Sequence, residues 1–210
     1  MKIAVFGASG KTGQVFVRLA HEQGHKVTAA VRSPGLYESP EKVKVLKCDV
    51  SNEKEIAKVI GGQDAIVSFL GHGRNSPPLL QTNAMQEITA AMKRFNVSRI
   101  VSLTGTGVRF PGDLISFTDW FMNGVINLID HKRIIDGKLH VKTLQESGLD
   151  WSVIRVLKLT DGIFQPNALT LHGPAKLLVS RETVSKTVLD LLNHKGFMQQ
   201  SPIISSASKK

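Results

Sequence analysis

The chain has 210 residues, 41% hydrophobic and 21% charged, which excludes a disordered or collagen-like chain and leaves one domain as the expectation. A single cysteine, Cys48, excludes an internal disulfide framework and cysteine-pair zinc sites and leads us to expect a reducing, cytoplasmic compartment. The net charge of +10 comes from bases scattered mostly singly and not interleaved with aromatics, so an anionic metabolite or cofactor is expected and a nucleic-acid partner is not.

Lys2 to Phe6 is a short apolar run ending in Gly7 and reads as a buried strand. Its early break at Gly7 is unlike a signal peptide, and no apolar run reaches the roughly 18 residues that a membrane span needs. Thr12 to Gln23 places Val15, Phe16, Leu19 and Ala20 on one helical stripe, stopped by Gly24. Lys26 to Val31 is a second strand and Lys42 to Leu46 a third. Asn52 to Ile60 is a helix with Ser51 as its expected cap and Gly61-Gly62 as its stop. A strand over Asp64 to Leu70 and a long helix over Leu79 to Phe95 follow, then a strand from Arg99 to Leu103. Val108 to Asn127, rich in aromatics and glycine, is ambiguous in structure. Its apolar residues Ile115, Phe117, Trp120, Phe121, Met122 and Val125 are expected in a core, or as the roof of a substrate pocket or a partner contact. Lys132 to Ser147 reads as a helix, Trp151 to Val156 as a strand and Glu182 to Asn193 as the last helix. Residues 205–210 are expected to form a mobile tail beyond a domain over 1–204.

Strand and helix alternate at least five times, and the central strands are nearly continuous apolar runs. This pattern calls for an α/β fold, a single Rossmann-like doubly wound parallel sheet with helices on both faces. Ligands of such sheets bind beyond the carboxyl ends of the strands, so the residues that follow each strand are the candidates.

Gly7-Ala8-Ser9-Gly10-Lys11-Thr12-Gly13 stands between a strand and a helix, with glycines spaced three and three. Gly7 suits the tight turn, Gly10 the approach of a pyrophosphate and Gly13 close helix packing, while Ser9, Lys11 and Thr12 border the same phosphates. A nucleoside-triphosphate loop would need a glycine five residues before Gly10, where Val5 stands. The second strand ends Ala29-Ala30-Val31-Arg32-Ser33 without a carboxylate. Arg32 is therefore expected to grip a 2′-phosphate, which favours NADP(H) over NAD(H). Asp49 and Val50, after the third strand, are placed to read an adenine edge. Leu70 and Gly71, after the fourth, would lie near a ribose, and Arg74 near a phosphate. His21-Glu22-Gln23-Gly24-His25 spells a zinc-protease motif, but Gly24 ends the helix before His25, so no metal is expected.

Gly7 to Gly13, Arg32, Asp49-Val50 and Gly62 to Val67 resemble the atypical short-chain dehydrogenase/reductases, and within them the NAD(P)H-binding, NmrA-like group that includes flavin reductase/biliverdin-IXβ reductase. Glu146 to Arg155 and Val179 to Val184 are similar to the same group. The resemblance implies NADPH-dependent hydride transfer to a flavin, quinone or tetrapyrrole-like acceptor, or else a dinucleotide-sensing regulator; an oligomer is possible within either. The Tyr-x-x-x-Lys pair of ordinary short-chain dehydrogenases is absent, since the one tyrosine, Tyr37, is followed four residues later by Glu41. Where the biliverdin/flavin reductases carry a serine and a histidine, this chain has Gly105 and Lys158. By the resemblance, Thr104 or Thr106 would supply a hydroxyl near the nicotinamide and Lys158 would stabilise an anionic acceptor.

Overall fold

The computed structural model describes residues 1–73, 76–194 and 196–206. β1 (Lys2–Phe6) alternates Ile3 and Val5 toward one face with Ala4 and Phe6 toward the other, and all four are fully buried. Such a strand needs cover on both sides. Around it β2 (Lys26–Val31), β3 (Lys44–Lys47), β4 (Ala65–Ser68), β5 (Arg99–Gly105), β6 (Asp150–Val156), β8 (Asn167–Thr170) and β10 (Ile203–Ser206) form an eight-stranded sheet in the order β3-β2-β1-β4-β5-β6-β10-β8. Every pairing is parallel except that of β8 with β10. β7 (Lys158–Thr160) and β9 (Leu178–Ser180) make a separate parallel pair.

One face of the sheet is covered by α1 (Lys11–Glu22) and α6 (Arg181–His194), whose Phe16, Val17, Val184 and Leu189 fill the core there. The other is covered by α2 (Glu53–Ile60), α3 (Leu80–Arg94) and α5 (His131–Gln145), through Ile56, Met85, Ile88 and Val141. The expected doubly wound sheet is present. Strand order reverses at β1, between β2 on one side and β4 on the other, which opens a crevice beyond their carboxyl ends.

Three local expectations are corrected. The cap of α2 is Asn52, whose Oδ1 accepts the amides of Lys54 and Glu55 at 3.1 and 3.2 Å; Ser51 instead binds Asp49. Part of the expected tail is ordered sheet. Ser205 and Ser206 belong to β10, paired with Ala168 and Asn167, and the Ser205 hydroxyl lies 2.8 Å from that of Thr170. Residues 207–210 lie outside the described residues.

The ambiguous stretch leads into α4 (Phe117–Ile129), whose polarity is inverted. Asp119 is its one buried residue, whereas Phe117, Trp120, Phe121, Leu128 and Ile129 are exposed. The inward polar groups are satisfied: Asp119 accepts the Thr106 hydroxyl at 2.6 Å and pairs with Arg109, while Asn123 Nδ2 donates to Asp119 Oδ1 at 2.7 Å and to Thr106 Oγ1 at 3.0 Å. A core role for the apolar residues is therefore wrong. None of the six named residues is among those lining the cavity on this side of the sheet's carboxyl ends, whereas Asn123 and Ile126 of the same helix are. The second tryptophan, Trp151 of β6, is by contrast buried.

Candidate functional site

The turn after β1 is shaped by contacts that only glycine tolerates. Gly7 has φ +75°, and a Cβ there would sit 2.8 Å from the carbonyl carbon and oxygen of Phe69. A Cβ on Gly13 would come within 2.2 Å of the Gly7 carbonyl oxygen. The chain thus folds back on itself, with the Gly10 amide donating to the Gly7 carbonyl at 3.0 Å. Gly10 is the N-cap of α1 and no side chain caps the helix. Its first amides and the positive end of its dipole are left to a ligand, an arrangement suited to phosphate.

A first cavity of about 490 Å³ opens at this turn and gathers Gly7, Ser9, Gly10, Arg32, Asp49, Val50, Leu70 and Gly71. Eight of the twelve expected cofactor residues are therefore brought together, from four separate strand ends. Asp49 is held below the usual carboxylate range, first by the Ser51 amide and hydroxyl (2.9 and 2.7 Å) and then, against a small burial cost, by the charges of Arg32 and Lys47. Cys48 lines the same cavity, and burial, aided by the charges of Glu55 and Asp49, pushes its thiol up to about 12. It is an inert neutral group near pH 7.

A second cavity of about 330 Å³ shares Phe69, Leu70 and Gly71 with the first. The end of β5 lines it with Thr104 and Gly105, the turn that follows with Thr106 and Val108, and Thr12 of α1 joins them. Gly13 supplies close packing beside it. Leu157 and Leu159 also line this cavity, but Lys158 between them does not; it is exposed on β7, because successive strand residues face opposite ways. Lys11 is likewise exposed, its Nζ 3.9 Å from Asp161. The proton of Thr106 is committed to Asp119. Arg74 lies outside the described residues.

A further group stands one residue beyond Gly71, the last of the candidates after β4 among the described residues. His72 follows Gly71, lines the second cavity, and places Nε2 2.7 Å from Oδ2 of Asp136 on α5. Asp136 is fully buried. It also accepts the amides of Gln81 (2.8 Å) and Thr82 (2.9 Å) and the Thr82 hydroxyl (2.6 Å). Burial works to raise its pKa, yet the hydrogen bonds from Thr82, Gln81 and His72 outweigh it and hold the carboxyl below the usual range. On the next turn of α5 stands His140, whose Nε2 lies 2.9 Å from the Ser102 hydroxyl; burial lowers its pKa to about 4, so it is neutral near pH 7. Among the described residues no cluster of His, Cys, Asp and Glu is suited to hold a metal, and no helix is long and apolar enough to cross a membrane.

Comparison with known proteins agrees with this geometry. The chain resembles the oxidoreductase ylbE from Lactococcus lactis, with TM-score 0.84 and 20% identity over 100% of this chain and 92% of that one. It also resembles a short-chain dehydrogenase/reductase from Veillonella parvula solved in complex with NADP, with TM-score 0.83 and 18% identity over 99% and 95% of the two chains. At such identities the likeness is one of fold. The uncharacterized protein YwnB of Bacillus subtilis is 31% identical over 110 residues, 52% of this chain, and the match spans half the length of that relative. A family model described as NAD(P)H-binding matches residues 7–195. That stretch contains the glycine turn, the crevice and both cavities, and the chain belongs to the NAD(P)H-binding family.

Proposed function

We propose that the protein is an NADPH-dependent reductase that passes a hydride to a flat acceptor of the quinone, flavin or tetrapyrrole type, within the NmrA-like, flavin-reductase-like group. The observation that carries this reading is that the two cavities adjoin, sharing Phe69, Leu70 and Gly71 in their walls. Phosphates at the glycine turn and adenosine toward Arg32 and Asp49 fill the first cavity. The nicotinamide, which supplies the hydride when bound, and the acceptor are then left to the second, whose wall is mostly apolar. Such a wall excludes water and holds two flat rings in register, and register supplies much of the rate for this kind of transfer.

Preference for the phosphorylated dinucleotide rests on Arg32, exposed at the mouth of the first cavity where β2 ends without a carboxylate. Arg32→Asp is expected to weaken NADPH binding by about 2 kcal/mol, roughly thirtyfold, through loss of a charge-assisted pair with phosphate, and to change NADH binding far less. Calorimetry with both dinucleotides reads that ratio, and an unchanged ratio removes Arg32 from the role.

The reductase reading is tested by NADPH oxidation with a quinone, a flavin and dichlorophenolindophenol as acceptors. Turnover above the uncatalysed rate with at least one supports it. Tight NADPH binding without turnover on any acceptor would instead favour a dinucleotide-sensing regulator. That second reading draws on the committed proton of Thr106 and the outward position of Lys158.

A further inference from the structure

We propose that His72, oriented by Asp136, is the proton donor to the acceptor in the second cavity. The proposal rests on the reductase reading and adds to it the group that completes the reduction.

Three observations support this assignment. First, His72 lines the cavity at the turn between β4 and α3, and Nδ1 has no hydrogen-bond partner among the described residues while Nε2 is fixed on Asp136 at 2.7 Å. A ring with one nitrogen tied to a carboxylate and the other uncommitted is the arrangement a general acid requires, because the carboxylate fixes the ring's orientation and tautomer. Second, the pairing is not needed to satisfy Asp136. Its carboxylate already accepts two amides and a hydroxyl from the first turn of α3, standing in for the cap that Leu79 does not supply.

Third, the alternatives at the cavity fail on chemistry. Thr106 donates its hydroxyl in a hydrogen bond to Asp119, Thr12 and Thr104 are alcohols that do not ionise near neutrality, and Arg133 does not release a proton. His140 lies behind the wall, paired with Ser102, and is neutral near pH 7. His72 is the one imidazole among the described residues that line this cavity.

With a quinone as acceptor the balance is complete. NADPH is oxidised to NADP⁺ as its hydride adds to the quinone, giving the hydroquinone monoanion. The Nδ1–H bond of the His72 imidazolium breaks, its proton goes to the anionic oxygen, and the hydroquinone leaves. The ring remains neutral with its Nε2–H on Asp136, and solvent restores the Nδ1 proton. Asp136 is a positioning residue throughout.

Among the described residues, the charged and titratable groups near His72 include Asp136 and, from the same helix, Arg133 at the cavity and the neutral His140. Because the reduction consumes a proton from the protein, turnover with a soluble quinone is expected to fall toward alkaline pH. His72→Gln should lower kcat about a hundredfold and flatten that profile, with the NADPH dissociation constant, read by calorimetry, within about twofold of the unsubstituted protein. His72→Ala should regain turnover when free imidazole is added, which a purely structural residue would not show. Long-range ¹H–¹⁵N spectra of the unsubstituted protein should place the proton of the neutral ring on Nε2. An Nδ1–H tautomer, or undiminished kcat with the same pH profile in His72→Gln, overturns the proposal. If the unsubstituted protein binds NADPH but turns over no acceptor, the reductase reading falls and takes this proposal with it. If it turns over and His72→Gln matches it, this proposal alone falls.

Discussion

Gly13 shows how one missing methyl group sets the site. A Cβ at this position would meet three backbone atoms, Gly7 O at 2.2 Å and Ala8 Cα and O at 2.8 and 2.9 Å. None belongs to a flexible side chain, so relief requires the turn itself to open. Gly13→Ala is expected to cost about 3 kcal/mol or more, the upper range for overpacking, and to lower NADPH affinity in step. Chemical denaturation and calorimetry on the same variant check both, and an alanine variant of full stability would mean that the turn is not built as described. The glycine turn was legible in the sequence because its spacing and its strand–turn–helix setting are local. Arg32, Asp49 and Leu70 were legible for a related reason: each follows an apolar run. The His72–Asp136 contact was not, since its members stand 64 residues apart and meet only because α5 packs on α3. The available signal was the position of His72 just beyond Gly71.

Among the helices, α4 departs most from what its composition suggests. An apolar stripe at Phe117, Phe121, Val125 and Leu128 has the same sequence period whether it faces a core or solvent, so periodicity could not decide its direction. What decides it is the inward network of Asp119 with Arg109, Thr106 and Asn123. The energetics of substitution should be inverted accordingly. Asp119→Ala leaves three polar partners without their acceptor and is expected to destabilise by about 1–3 kcal/mol. Phe117→Ser removes a ring that is 75% exposed and should change stability by about 0.5 kcal/mol or less. Urea titrations of the two variants test the order; a larger loss from the phenylalanine would mean that α4 is covered in solution. The other helices were legible to within a residue or two, since their stripes face the sheet and some of their ends carry glycine signals, as at Gly24 and Gly61.

Across the whole molecule, Arg155 ties together segments that the sequence reading left unassigned. It is 1% exposed at the end of β6, with two hydrogen bonds to Asp113 (2.5 and 3.0 Å) and others to the carbonyls of Val108, Leu171 and Ser201. Burial acts to raise the pKa of Asp113, but Arg155 and the Phe110 amide more than compensate and hold the carboxyl low. Acid stability follows from this pair, Asp136 and His140. His140 is harder to protonate folded than unfolded, so its contribution is complete above its ordinary pKa of about 6.5 and is lost as pH falls from there toward about 4. The two carboxylates, depressed in the fold, contribute fully above the ordinary carboxylate range of about 4 and lose that contribution as pH falls through their lowered values. Melting temperature should therefore decline in two stages below about pH 6.5, and Asp113→Asn should blunt the second stage only. A melting temperature flat from pH 7 to 4 would contradict the buried state of His140. The strands β7 to β10 were not legible because they are short and are organised by such long-range ties rather than by their own pattern.

The two tryptophans differ in one further respect. Trp120 stands in water on a helix that walls the second cavity, while Trp151 is sealed inside the sheet. Iodide should therefore darken only the red-shifted share of the emission, the share that follows α4, and leave the blue share to report whether the sheet is intact. Optical titrations can thus separate a local rearrangement at the cavity wall from global melting without any attached dye.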